Sequence, residues 1–140
     1  NYFESGYNPT NQSVAAAYKA YGKAHKLPNA DTAVTNDPME ATYVGLHMWA
    51  QAVEKAGTTD VDKVRAAMAG QSFNAPSGFT LTMDATNHHL HKPVMIGEIE
   101  GHGQFNVVWQ TEQPVRPQPW SPIIAGNDTK PDQPMKTASN

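Results

Sequence analysis

Three histidines within four positions are the residues of this sequence that most readily suggest chemistry. His88, His89 and His91 follow Asp84 and precede His102, and imidazole and carboxylate groups are common zinc ligands. The spacing matches no standard zinc motif, because neighbouring residues on a strand project to opposite faces and no Glu-x-x-His helix accompanies them. We therefore expect exposed turn histidines, with no bound metal and no other cofactor.

Nucleophilic catalysis has little support in the sequence. Cysteine is absent, and no Gly-x-Ser-x-Gly motif places a serine between a strand and a helix. The Gly-x-Gly-x-x-Gly and Walker motifs of nucleotide sites are also missing. Asp37 and Glu40 could be imagined as an acid/base pair, but helix capping accounts for both positions. The sequence therefore indicates a binding protein and not an enzyme.

The start of the longest predicted helix is the best candidate for a binding site. Asp37 is predicted to be its N-cap, and the Glu40 side chain three residues later is predicted to reach back to the N–H of the cap. Helix starts carry free N–H groups and often border ligand clefts in α/β folds. Asn36, Asp37, Glu40 and Tyr43 are thus candidates to line a site, although capping alone explains Asp37.

Two further helices flank this long helix. Asn8 and Pro9 predict the start of the first, which should end near His25. Gly57 should end the long helix, and Asp60 should begin a short third one. Apolar residues at helical spacing predict the inward faces of the second and third helices. These residues are Met39, Tyr43, Leu46, Ala50 and Val53 in the second helix, and Val61, Val64, Ala67 and Met68 in the third.

The apolar period changes to two after Gly78, which indicates strands. Alternation over 79–83 predicts one half-buried strand. Two more strands, over 94–99 and from Phe105 to Trp109, should form a hairpin around a glycine-rich turn at 100–103. Prolines accumulate after Gln110 and predict an extended surface segment, with Trp120 as a possible anchor. The fold class is therefore α/β: helices packed on a sheet, a C-terminal β-hairpin region and an extended proline-rich tail.

Composition excludes several classes of protein. The net charge of −3 provides no electrostatic footprint for nucleic acid or for an anionic membrane surface. No apolar run approaches the roughly 18 residues that a membrane span requires. The opening residues, Asn1 to Ser5, have neither a charged leader nor an apolar signal core, and we expect a chain cut from a longer protein.

The order of elements resembles the last segment of type I periplasmic solute-binding proteins. Several stretches are more specifically similar to the branch of that family that binds urea and short-chain amides. These stretches are Asn1-Tyr2-Phe3-Glu4-Ser5, Asn36-Asp37-Pro38-Met39-Glu40-Ala41-Thr42-Tyr43, Gln51-Ala52-Val53-Glu54-Lys55-Ala56-Gly57, Asn87-His88-His89-Leu90, Lys92-Pro93-Val94, Ile96-Gly97-Glu98-Ile99 and Pro114-Val115-Arg116-Pro117.

The resemblance implies a two-lobed clamp that closes over a small ligand. Residues 1–122 would form its C-terminal portion, and residues 123–140 a disordered tail. The protein would be an exported periplasmic or extracellular receptor that delivers urea or an amide to an ABC permease in the membrane. The resemblance assigns ligand binding to Asp37, Glu40 and Tyr43, whose carboxylates and hydroxyl suit a polar, neutral ligand.

Three alternatives stay open at this point. A receptor for branched-chain amino acids shares the fold, and so does a cytosolic amide sensor. A small metal-dependent hydrolase that uses the cluster of His88, His89 and His91 belongs to a different class.

Overall fold

A computed structural model describes residues 1–127, 129 and 130 of the chain. The three helices are α1 (Pro9–Ala24), α2 (Asp37–Ala56) and α3 (Val61–Met68). The five strands are β1 (Ser72–Asn74), β2 (Thr80–Met83), β3 (Leu90–His91), β4 (Met95–Ile99) and β5 (Phe105–Gln110). Within the described part of the chain, no helix combines the length and the apolar character that crossing a membrane requires.

The helix starts follow the predictions with one correction. Asn8 caps α1 by accepting a hydrogen bond from the backbone N–H of Asn11 at 2.9 Å. For α2 the cap is Asn36, whose side chain accepts from the Met39 N–H at 3.1 Å, and Asp37 is the first helical residue. The prediction that Asp37 caps α2 is therefore wrong. Asn36 takes the role because its backbone is extended and its side-chain oxygen reaches the free N–H groups.

The buried face of α2 also differs from the prediction. The residues that face the interior are Glu40, Val44, Met48 and Ala52, each four positions after the last. Tyr43 and Leu46 of the predicted stripe are 38% and 64% exposed. Apolar residues lie on more than one side of α2, so helical periodicity alone is compatible with two different buried faces. Packing against the sheet determines which of the two is buried. In α3, Val64 is buried as predicted, whereas Val61 is exposed.

A three-stranded antiparallel sheet packs against α2 and holds the core. The strand order is β1-β2-β3, with Phe73 opposite Leu81 and Thr82 opposite His91. The alternation predicted for 79–83 is confirmed, because Leu81 and Met83 are buried while Thr80 is exposed. Strand β1 was not predicted, since three residues are too short for a clear period. The core cluster consists of Val44, Met48, Ala75, Leu81 and Met83.

The predicted hairpin is present as a separate two-stranded sheet. Strands β4 and β5 pair antiparallel, with a register shift between Ile96 and Gly97. The turn at 100–103 lies between them, as expected. The following proline-rich segment contributes a single bridge, between Lys92 and Val115. Of the predicted tail, residues 123–127, 129 and 130 are described, and its other residues lie outside the described part.

Candidate functional site

Glu40 lies at the buried side of the leading end of α2. Its carboxylate is fully shielded from solvent, and Oε1 accepts a hydrogen bond from the backbone N–H of Ser77 at 2.7 Å. The predicted bond from Glu40 back to the cap N–H is thus replaced by a bond to the loop before β2. The buried carboxylate ties the helix start to that loop.

Lys92 pairs with both carboxylates at this end of the helix. Its Nζ donates a hydrogen bond to Asp37 Oδ1 at 3.1 Å. The same nitrogen lies 3.1 Å from Glu40 Oε2, in an ion pair that lacks hydrogen-bond geometry. Lys92 was not predicted to belong to the site. More than 50 positions separate it from both carboxylates, and no local pattern relates them.

Tyr43 lines a broad depression on the outer side of the same helix end. The depression has a volume of about 510 Å³, and Asn36, Pro38, Met39 and Thr42 complete its lining. The three residues predicted for the site are thus brought to one helix end but onto different sides of it. Tyr43 and one edge of Asp37 face solvent, while Glu40 faces the interior.

Tyr43 belongs to an aromatic group on the outer surface of α2. The centroid of its ring lies 4.4 Å from that of His47 and 6.1 Å from that of Phe73. The His47 ring stacks on Phe73 at 5.1 Å with an angle of 16° between the planes. These contacts hold the Tyr43 ring in place where it lines the depression.

A smaller pocket lies on the other side of Asn36, where the hairpin meets the rest of the fold. The pocket has a volume of about 200 Å³ and is lined by three segments: Tyr2–Glu4, Val34–Asn36 and Gly103–Phe105. We call it the junction pocket. The pocket was not predicted from the sequence, because its walls come from segments that are far apart along the chain.

A hydrogen-bonded network holds two walls of the junction pocket together. The Tyr2 hydroxyl lies 2.6 Å from Asn11 Oδ1 and 2.7 Å from Thr35 Oγ1. Glu4 Oε2 accepts from the Thr35 backbone N–H at 2.6 Å and from its hydroxyl at 2.9 Å, while Oε1 accepts from Lys19 Nζ at 3.0 Å. The aromatic opening segment is thereby attached to α1 and to the residues that lead into α2.

The network also shifts two pKa values. Burial raises the pKa of the Tyr2 hydroxyl, since the phenolate would lose its hydration, and the bond to Thr35 opposes the shift only partly. Burial alone would raise the pKa of Glu4, but the hydrogen bonds from Thr35 and Lys19 favour the carboxylate and lower its pKa overall. Glu4 is therefore an anion already balanced by its donors at neutral pH.

The histidines of the predicted turn do not converge on a common point. His88 adopts a left-handed backbone with φ of 57°, and its Nε2 lies 3.2 Å from the Arg65 carbonyl. His91 Nε2 instead lies 3.1 Å from Asp84 Oδ2. Over the described residues, no group of three or more His, Asp or Glu side chains has an arrangement that could hold a metal ion.

Asp84 organises this turn and attaches the proline-rich segment to it. Arg116 Nε donates to its Oδ2 at 2.8 Å, and the Thr86 hydroxyl and backbone N–H donate to Oδ1. The Arg116 guanidinium, and then Thr86, hold the pKa of Asp84 far below its usual range, more than offsetting the effect of burial. The contacts of Asp84 are thus explained by its structural role. The leading end of α2 and the junction pocket remain as the candidate site.

Comparisons with known proteins agree with this architecture. Among curated proteins, the chain is 35% identical over 120 residues to a Geobacillus stearothermophilus protein named limonene hydroxylase, a match that covers 85% of this chain and 20% of that protein. Among solved structures, it is similar to the solute-binding protein of an ABC transporter from Rhodopseudomonas palustris BisB5, in complex with 3,4-dihydroxybenzoic acid. That similarity has a TM-score of 0.65 at 21% identity and covers 82% of this chain and 30% of the other.

The chain thus spans about a fifth of the curated relative and less than a third of the solved protein. At this level of identity the structural match establishes the fold, and the predicted α/β fold class is confirmed. The profile of a family described as the periplasmic binding protein domain matches residues 1–125. This chain therefore belongs to the periplasmic binding protein domain family.

Proposed function

We propose that this chain is part of an exported solute-binding protein that captures urea or a short-chain amide for an ABC transporter. The observation that carries the proposal is the family match over residues 1–125, which agrees with a fold shared with a transporter's solute-binding protein. Residues 1–122 would supply the C-terminal portion of a two-lobed receptor. Its place would be the periplasm or the extracellular side of the membrane, and its partner the membrane permease.

The chemistry at the leading end of α2 supports an uncharged polar ligand. Urea and amides present N–H groups that need acceptors and a carbonyl oxygen that needs donors. Asp37 keeps one carboxylate oxygen free of the bond to Lys92, and Tyr43 lines the outer depression. Together they offer an acceptor and a donor on the solvent-facing side of one helix end.

Glu40 supports this proposed site from the buried side of α2. Its carboxylate fixes Lys92 and the loop at Ser77, and Lys92 in turn donates to Asp37. Lys92 offsets one of the two negative charges, so an uncharged ligand with N–H donors suits this helix end better than an anion. Binding would consist of closure of the two lobes around the solute, and no bond of the ligand is made or broken.

A calorimetric titration of the mature receptor with urea, acetamide and leucine tests the proposal. Asp37→Asn and Tyr43→Phe should each weaken urea or acetamide binding about tenfold, the loss expected for one good hydrogen bond. Asp62→Asn and Tyr18→Phe are matched controls, because Asp62 also lies in the first turn of a helix and Tyr18 is as exposed as Tyr43. The controls should leave the affinity unchanged.

Two results would overturn the proposal. Tight binding of leucine with no binding of urea or acetamide would make the protein an amino acid receptor. Zinc that stays bound at one ion per chain after chelator treatment, together with hydrolysis of an amide, would make it an enzyme.

A further inference from the structure

The junction pocket is the feature of the described residues that the proposed site leaves unused. It lies between two units of the fold, and small-molecule sites occur preferentially at such boundaries. Its volume of about 200 Å³ has room for roughly six water molecules at ~30 Å³ each. A ligand with about that many non-hydrogen atoms would fill it.

Two of its walls are fixed. Tyr2 and Glu4 are bonded to Thr35, and Tyr2 is also bonded to α1 through Asn11. Moving either wall would leave the buried Tyr2 hydroxyl or the Glu4 carboxylate without its partners, which is costly. These walls therefore present a preformed surface to a ligand.

The third wall belongs to the hairpin and rests on few contacts. The Phe105 ring lies 4.8 Å from the Phe3 ring, and the Ser5 hydroxyl donates to the Phe105 carbonyl. A ligand in the pocket would touch both the hairpin and the fixed walls. It would therefore join the two units more firmly than these contacts do alone.

The lining selects against charged ligands. Glu4 already accepts three hydrogen bonds and is balanced by Lys19, so it has little to offer a cation and would repel an anion. Phe3, Val34 and Phe105 make most of the remaining wall apolar. Bringing an unpaired charge into such surroundings is unfavourable.

Two carboxamide side chains supply the polar part of the lining. Asn36 uses its Oδ1 to cap α2, which leaves its Nδ2 as a donor. Gln104 lines the opposite wall, and no other group of the described residues forms a hydrogen bond with its side chain. Carboxamides pair well with another amide, because each has both donors and an acceptor.

We infer that the junction pocket binds an uncharged short-chain amide, with its alkyl part against Phe3, Val34 and Phe105. The inference rests on the proposed function and adds to it a second surface for an amide, separate from the outer depression at Tyr43. Urea has no alkyl part and would leave the apolar walls in contact with water, so the pocket favours an amide with two or three carbons beyond the carbonyl.

The test is an NMR titration of the ¹⁵N-labelled mature receptor with four probes: propionamide, propionate, propylammonium and urea. The first three have nearly the same size and differ in charge. Propionamide should produce saturable shifts in the backbone amides of Val34, Gly103 and Gln104. The two ions and urea should bind about tenfold more weakly or not at all, because of the desolvation cost and the missing alkyl contacts.

Val34→Phe fills the pocket and should abolish these shifts. Val108→Phe is the matched control, because both valines are about half exposed and Val108 lies outside the pocket. Gln104→Leu removes the amide from a surface side chain and should weaken propionamide binding several-fold, which keeps the inference testable if Val34→Phe does not fold.

Three results would overturn this inference. Equal shifts for the neutral and the charged probes would do so, as would the absence of saturable shifts near the pocket. The third result is a set of shifts that cluster at Thr42 and Tyr43 and persist in Val34→Phe. It would refute ligand binding in the junction pocket but would not contradict the proposed function. Failure of urea and amides to bind the mature receptor would instead refute the proposed function.

Discussion

The body of the molecule and its hairpin are stabilised in different ways. The body, made of α2, α3 and the sheet β1–β3, buries Val44, Met48 and Leu81 completely. The hairpin, β4–β5, leaves Ile99 78% and Val108 55% exposed. Its two strands are well paired with each other, yet its side chains find little apolar surface to cover.

This difference shows which part of the fold is self-supporting. Burial of apolar side chains is the dominant stabilising term, so the body should keep its shape without the hairpin. The hairpin contacts the opening segment through Phe3 and Ser5. The junction pocket is lined partly by this dependent unit, whereas the outer depression at Tyr43 is lined by the start of α2.

Removal of core volume in the body should have the largest effect. Leu81→Ala leaves a cavity beside Val44 and Met48 and should lower the free energy of unfolding by about 4 kcal/mol. Val108→Ala on the hairpin should lower it by less than about 0.5 kcal/mol, because the side chain is exposed. Guanidinium chloride denaturation followed by circular dichroism measures both. Equal losses would contradict the division into a packed body and a dependent hairpin.

Loss of the buried ion pair at the start of α2 should come next. Lys92→Met leaves the Glu40 carboxylate buried without its cation and should cost about 3 kcal/mol. Adding Glu40→Gln to that variant should restore part of the stability, because the buried group is then neutral. Lys23→Met, which breaks the exposed pair with Asp31, is the control and should cost less than about 1 kcal/mol. Similar losses for the two lysines would show that burial of Glu40 is unimportant.

A third prediction concerns pH and the attachment of the proline-rich segment to the body. Asp84→Asn weakens the bonds from Arg116 and Thr86 and should cost about 2 kcal/mol at pH 7. The pKa of Asp84 is lower in the folded than in the unfolded chain, so its contribution is full above about pH 4 and declines as the pH falls further.

The difference in stability between the wild type and Asp84→Asn should therefore shrink between pH 4 and pH 2, as estimated from the ordinary carboxyl pKa of about 4. Denaturation curves at several pH values measure this difference. Asp62→Asn, an exposed carboxylate on α3, is the control and should show no such trend. A constant difference for Asp84→Asn would mean that its charge does not stabilise the fold.

The smallest effect is expected where the opening segment touches the hairpin. A Cβ on Gly97 would lie 2.8 Å from Phe3 Cζ, so Gly97→Ala must displace the Phe3 ring. The expected cost is about 1 kcal/mol, with shifted ring protons of Phe3 and Phe105. Gly101→Ala, where a Cβ would meet no atom within 4 Å, is the control. Unchanged Phe3 and Phe105 resonances in Gly97→Ala would show that this contact does not hold the hairpin.

Local sequence determined where most elements begin and end. Asn8 with Pro9, Gly57 and the turn at 100–103 act within a few residues, through capping bonds and left-handed backbone. Alternation over 79–83 identified the strand that carries Leu81. The α/β class and the family resemblance followed from the order of these local signals.

Tertiary structure decided which side of α2 is buried and which groups meet. Val44 and Met48 were as apolar as the stripe predicted from Tyr43 and Leu46, and only the position of the sheet selected between them. The placement of Lys92 beside Glu40 joins residues far apart in the chain. No local period predicts such a pairing, because it depends on how the segment after β3 packs against the helix. For that reason the helix end was predictable as a candidate site, while its counter-charge and the junction pocket were not.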